Sequence, residues 1–305
     1  MSAPKPFAYL LLLFQGAIWG SSFLAIKLAL EDFGPMTVAA GRIGSAAVMM
    51  LVYATLRGNA FPREVKTLML LAVVGLFNCA IPFFLIPWGE QSLESGQAAI
   101  LMAIGPLIAL VIAHFSTTDE RLNRYKAFGF SLGFVGVCFV IGIQPLLNGL
   151  GELVPQLAIL MAATSYAISG AVAKRIHGVP SAMVTACVLS FASLVTVPLS
   201  FLLEAPMAAL THSELQRSFI ALIYLGLIPT GLAFLIRFYL IKNVGFTFVS
   251  QVGYLVPVFG VLFGVWWLDE QMTLSMVIGL VCILTGLAIS RKTRQKSGLL
   301  PENAG

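Results

Sequence analysis

The side chains of this sequence that could do chemistry are few and scattered. Three histidines (His114, His177, His212) and four cysteines (Cys79, Cys138, Cys187, Cys282) show no CxxC or metal-ligand spacing. No serine or cysteine nucleophile sits with a His in an arrangement that could activate it, and no glycine-rich phosphate loop occurs. Each cysteine lies inside an apolar run, where a thiol packs as a small hydrophobe. The chain therefore reads as a non-enzyme with no metal and no cofactor. No basic stripe interleaved with aromatics is present, so no nucleic-acid partner is expected.

What remains is a set of polar and aromatic residues that interrupt long apolar runs. Gln15, Trp19, Asn78, Ser165, Tyr166, Gln251 and Tyr254 fall near the middle of such runs, and Arg42 lies about two turns inside another. In lipid, buried amides and hydroxyls usually bond a neighbouring helix. Their other use is to orient a ligand, because binding sites are mostly apolar with a few convergent polar groups. Arg42 can bond freed carbonyls or a substrate carboxylate; both readings stand. The candidate substrate-binding set is Gln15, Trp19, Arg42, Asn78, Phe83, Tyr166, Gln251 and Tyr254. Pro82, Pro106, Pro229 and Pro257 lie inside apolar runs, where proline removes a helix bond, and are candidate hinges. All thirteen Asp and Glu fall in loops, at span ends or in the tail, Glu90 among the loop acids. With no acid at mid-depth, a carboxylate-coupled antiporter is disfavoured.

The elements that must position these residues follow from composition. With 59% hydrophobic and 10% charged residues over 305 positions, the polar surface is too small for a soluble chain. A spanning helix needs about 20 apolar residues to cross about 30 Å. Ten such spans are expected, near 8–28, 36–56, 67–88, 96–116, 125–143, 153–174, 181–203, 216–236, 246–267 and 273–290. The first is too long for a secretory signal and lacks a small-x-small cleavage site. Lysines and arginines concentrate on one side of the spans (Arg57, Arg63, Lys66, Lys174, Arg237 and the cluster after Ser290), while acids such as Glu31, Glu90, Glu204 and Glu270 occupy the other. The basic side is expected to be cytoplasmic and to carry both termini.

The pattern also repeats, about 150 residues apart. Asp119-Glu120 matches Asp269-Glu270, Gly129 and Gly136 match Gly279 and Gly286, and Pro106 matches Pro257 with a one-residue slip. Five spans per copy is an odd number, so the second copy enters the membrane with opposite polarity. Two inverted copies give two nearly equivalent packings, one open to each face, with a site near the midplane. The Asp-Glu pairs are expected to cap the helices that follow them. The glycine-rich spans five and ten read as a packing or dimer surface.

On these residues (AIWGSSF…AIK from Ala17 to Lys27, Arg42, and the paired Pro…Asp-Glu…Gly…Gly pattern) the chain resembles the drug/metabolite transporter superfamily, in particular the EamA-type ten-span carriers. Within it the chain is most like the bacterial aromatic amino-acid exporters. The resemblance implies an all-α integral membrane protein, ten helices as two inverted five-helix repeats around a central cavity. The copies would be residues 1–143 and 144–292, with a cytoplasmic tail at 293–305. It implies export of neutral or aromatic amino acids across a bacterial inner membrane by a monomer or homodimer in contact with lipid. Other metabolites, nucleotide sugars or drugs, and a channel, are the alternatives. A phosphorylated substrate would need several cations in the cavity, and only Arg42 and Lys27 are in view.

Overall fold

The computed structural model describes residues 6–116, 123–142, 151, 153–206 and 216–296. Asp119, Glu120, Glu152, His212, Glu214 and the tail beyond 296 lie outside the described residues. Among the described residues all regular structure is helical. The helices are α1 (Pro6–Ala29), α2 (Pro35–Leu56), α3 (Val65–Gly75), α4 (Ile81–Glu90), α5 (Ser95–Met102), α6 (Gly105–Ser116), α7 (Arg124–Ile141), α8 (Val154–Ala173), α9 (Ser181–Leu203), α10 (Gln216–Leu225), α11 (Ala233–Asn243), the single turn α12 (Phe246–Val249), α13 (Val252–Leu268) and α14 (Leu274–Lys296). Two wider π-helical segments, π1 (Leu76–Ala80) and π2 (Gly226–Leu232), join α3 to α4 and α10 to α11. Eight helices, counting Val65–Glu90, Ser95–Phe115 and Gln216–Asn243 as continuous, are long and apolar enough to cross a bilayer. Val252–Leu268 and Leu274–Ser290 are apolar but shorter. The chain is a multi-pass membrane protein.

The exposed surface carries the signature of a lipid solvent. Leu56, Phe115, Leu202 and Leu274 are each at least 75% exposed, and Trp266 and Trp267 stand out near one end of α13. The interior is built from small and branched residues that let helices approach. α2 packs on α9 around Ile43, Met50, Met183 and Leu189. α1 packs on α13 and α10, while α8 packs on α4, α5 and α6 around Ile100, Leu107 and Ile159.

α7 and α14 form the tightest pair. A Cβ on Gly129 would lie 2.4 Å from the Gly286 carbonyl oxygen, and one on Gly136 would lie 2.7 Å from that of Gly279. The pairing of 129 with 286 and 136 with 279 means the two helices run antiparallel. The glycine faces are used within the chain.

The prolines act in three ways. Pro106 follows a break at Ala103–Ile104 that separates α5 from α6. Pro82 and Pro229 lie beside or within the π segments. Pro257 sits inside an unbroken α13, and the break on that side falls earlier, at Ser250–Gln251.

The Asp-Glu expectation is corrected at Asp269-Glu270. Asp269 takes the left-handed conformation (φ 53°) and ends α13. Glu270 caps the N-terminus of α5 instead of α14, its carboxylate accepting from the Ser95 N–H (2.6 Å), the Gly96 N–H (2.9 Å) and the Ser95 hydroxyl (3.0 Å). Glu204 does the same for α2, accepting from Met36 N–H, Thr37 N–H and the Thr37 hydroxyl at 2.7–2.9 Å. The helix starts gather negative charge from across the bundle, where their dipoles favour it. α7 is capped by Asn123, whose side-chain oxygen accepts from Tyr125 and Lys126 N–H.

Candidate functional site

The site is built on the two π segments. In π1 the Ile81 N–H bonds the Leu76 carbonyl, five residues back. The Phe77 carbonyl is thereby left without its α-helical donor, and the next position, Pro82, has no N–H to offer. The Ser165 hydroxyl from α8 donates to it at 2.7 Å. In π2 the Ala233 N–H bonds the Ile228 carbonyl, again five back. That frees the Pro229 carbonyl, which accepts the Trp19 indole N–H from α1 at 2.9 Å. The Leu225 carbonyl would take its α-helical bond from residue 229, a proline; the Thr230 hydroxyl donates there at 2.9 Å. Gln15 adds a second bond from α1, donating to the Ala233 carbonyl at 3.3 Å. Helices can break at membrane depth where neighbours re-satisfy the freed carbonyls, and α1 and α8 do this here.

Arg42 is buried (7% exposed) and locked to π2: its Nε donates to the Thr230 hydroxyl oxygen at 2.9 Å. Its guanidinium lies 3.9 Å above the Phe83 ring on α4, a cation–π contact that strengthens away from water. Phe83 meets Tyr166 of α8 edge-on at 6.5 Å, and the Ser169 hydroxyl bonds the Asn78 side-chain oxygen at 3.1 Å. On the other side Trp19 meets Phe234 edge-on at 6.4 Å, and Phe234 lies 6.3 Å from Phe238. The result is an aromatic layer backed by polar groups that are mostly committed to main-chain carbonyls or to one another. The Gln15 side-chain oxygen is buried and has no partner.

The structure brings Gln15, Trp19, Arg42, Asn78, Phe83 and Tyr166 to the two π segments. Tyr254 is half-buried against the neighbouring core. Gln251 is exposed at the start of α13 and makes no bond to this group.

Two residues escape a reading of the sequence. Arg237, counted there among the loop charges, belongs to α11 and holds its guanidinium 5.7 Å over the Trp19 ring. The site thus has a second arginine, which corrects the count of available cations. Glu90, counted as a loop acid, ends α4 and is wholly buried. Lys27 donates to the main-chain carbonyl of Glu90 at 2.5 Å, not to a carboxylate. Neighbouring Glu94, in the turn after α4, is held above the usual carboxylate range by its partial burial and by the Glu270 charge.

Comparison with known proteins bears on what this arrangement does. The model of the EamA-like transporter family matches residues 6–142 and again residues 154–291. The uncharacterized transporter YoaV of Bacillus subtilis is 26% identical over 282 residues, 90% of this chain and 94% of its own length. The uncharacterized inner membrane transporter YedA of Escherichia coli is 27% identical over 252 residues, 81% of this chain and 78% of its own. A probable terminal-alkyne amino-acid exporter of Streptantibioticus cattleyicolor is 25% identical, with 90% of each chain covered. A protein of known crystal structure superposes with a TM-score of 0.67 over 96% of this chain and 99% of that one; at 19% identity the likeness is one of fold. With spanning helices throughout and both halves matched by the family model, the chain belongs to the EamA-like transporter family and is a membrane transporter.

Proposed function

We propose that the protein exports neutral and aromatic amino acids by alternating access, with the aromatic layer around Arg42 as its substrate site. The observation that carries this is the buried Arg42 guanidinium, seated on Phe83 and bonded to Thr230, with Tyr166 edge-on to Phe83 and the Trp19–Phe234 pair on the other side of the site. An amino acid with an apolar side chain offers a carboxylate to Arg42 and a flat or branched body to the rings. The amino-acid exporter among the relatives supports the same class.

Ten crossings in two inverted copies, residues 1–143 and 144–292, complete the reading. The packing is consistent with it: exchanging the copies turns the contacts of α1 with α13, α10 and α11 into those of α8 with α6, α3 and α4, and leaves the α2–α9 and α7–α14 pairs in place. The end bearing Glu90, Glu204 and Glu270 is then outward, and both termini are cytoplasmic. A bacterial inner membrane is the setting, as for one relative.

A second reading, a carrier of small anionic metabolites, is favoured by Arg237 beside Trp19. Purified protein in liposomes decides between them. Labelled phenylalanine or methionine is expected to exchange across the membrane, and unlabelled amino acid on the far side to accelerate it. A phosphorylated metabolite that accelerates exchange while amino acids do not would favour the second reading, and rates without counter-flow stimulation would indicate a channel.

A further inference from the structure

Glu90 closes α4 in the interior of the bundle. It is 0% exposed, and neither carboxylate oxygen has a hydrogen-bond partner. Stripping an ion of water costs several kcal/mol even after relaxation, and an ionised carboxylate draws in whatever donors are at hand.

Donors are at hand and are turned elsewhere. From α1, Lys27 bonds the Glu90 main-chain carbonyl. From α2, Arg42 is held by Thr230 and lies on Phe83. From α8, Tyr166 lies against Phe83. The Glu270 carboxylate on the cap of α5 adds negative potential at Glu90. This is the surrounding of a neutral acid.

We propose that Glu90 is a proton-binding site in the mouth of the transport pathway. It holds a proton while its end of the bundle is closed and exchanges that proton with the solution on the same side when the end opens. The step is a simple acid dissociation: the O–H bond breaks, the proton goes to water, and the carboxylate keeps the electron pair. The inference rests on the alternating-access reading. Opening the end hydrates the carboxylate, and its new charge pulls on Lys27 and Arg42. Arg42, and α1 through Trp19, both bond π2. The protonation state of Glu90 is thereby felt at the site, and acid on that side favours the closed end.

Two measurements on the full chain in lipid vesicles test this. Infrared spectra at neutral pH are expected to show the carbonyl stretch of a protonated carboxylic acid that vanishes in Glu90→Gln and survives in Glu94→Gln and Glu270→Gln. Should Glu90→Gln fail to fold, a shifted band in Glu90→Asp makes the same assignment. Efflux of labelled phenylalanine is expected to slow by up to about tenfold per unit of acidification on the Glu90 side, the limit for one proton. Glu90→Gln should be slow and flat across pH, and Glu90→Asp should keep the response. Absence of the Glu90 band, or an unchanged pH response in Glu90→Gln, would overturn the proposal. Vesicles that move no amino acid would refute the proposed function, and the infrared band would still decide Glu90.

Discussion

Thr230 shows how a single hydroxyl can hold a site together. It donates to the Leu225 carbonyl and accepts from Arg42, so one side chain repairs a proline break and orients a guanidinium. Thr230→Val keeps the shape and removes both bonds. With a buried carbonyl and a buried N–H left unpaired, it is expected to lower stability by about 2–4 kcal/mol and to weaken substrate binding. Thr230→Ser should keep both bonds and stay near the parent; melting in detergent with and without phenylalanine compares the two. At this scale the sequence is half legible. Trp19, Arg42, Asn78, Phe83 and Tyr166 stand out as polar or aromatic interruptions of apolar runs, and they do converge. Arg237 and Glu90 do not stand out, because position along a chain sorts charges into loops without regard to how far a helix end lies within the bundle. Gln251 stands out and is exposed outside this cluster, since a mid-run position says nothing about which face of the helix it takes.

The spans are legible as elements because a helix in lipid needs a long apolar run, and such runs are hard to hide. The π segments are not. Each widens the backbone spacing by one residue, which shifts the side-chain register by far less than the uncertainty of an apolar run. The available signal is a proline with a glycine up to seven residues before it, Gly75 before Pro82 and Gly226 before Pro229. Glycine pairing is the other element-scale feature. Gly286→Ala would place a methyl 2.4 Å from the Gly129 carbonyl oxygen, in main chain that cannot step aside. A loss of about 1–3 kcal/mol is expected, as for other overpacked contacts. Gly170→Ala in α8, where a Cβ meets nothing within 4 Å, is the control and should be neutral or slightly stabilising. Thermal melts of both variants in one detergent check the contrast.

For the whole molecule, charge placement is the readable part and the state of the pathway the unreadable one. The bias of Lys and Arg predicts that tags at either end are reached only from the cytoplasmic side of right-side-out vesicles. Tags labelled on opposite faces would dismantle the two-copy reading. The sequence places the Asp-Glu pairs as caps of the helices that follow them, because sequence neighbours are the obvious partners; the caps of α2 and α5 come instead from Glu204 and Glu270, more than 160 residues along. Replacing either acid by Gln is expected to cost up to about 2 kcal/mol, since the charge as well as the bond is lost at a helix start.

Those borrowed caps carry an implication for biogenesis. During synthesis α2 and α5 leave the ribosome long before the acids that finish their first turns, so the early helices are inserted with open ends and wait. The amino-terminal portion made alone should therefore be degraded by quality-control proteases, whereas supplying the remainder as a separate polypeptide in the same cell should rescue it.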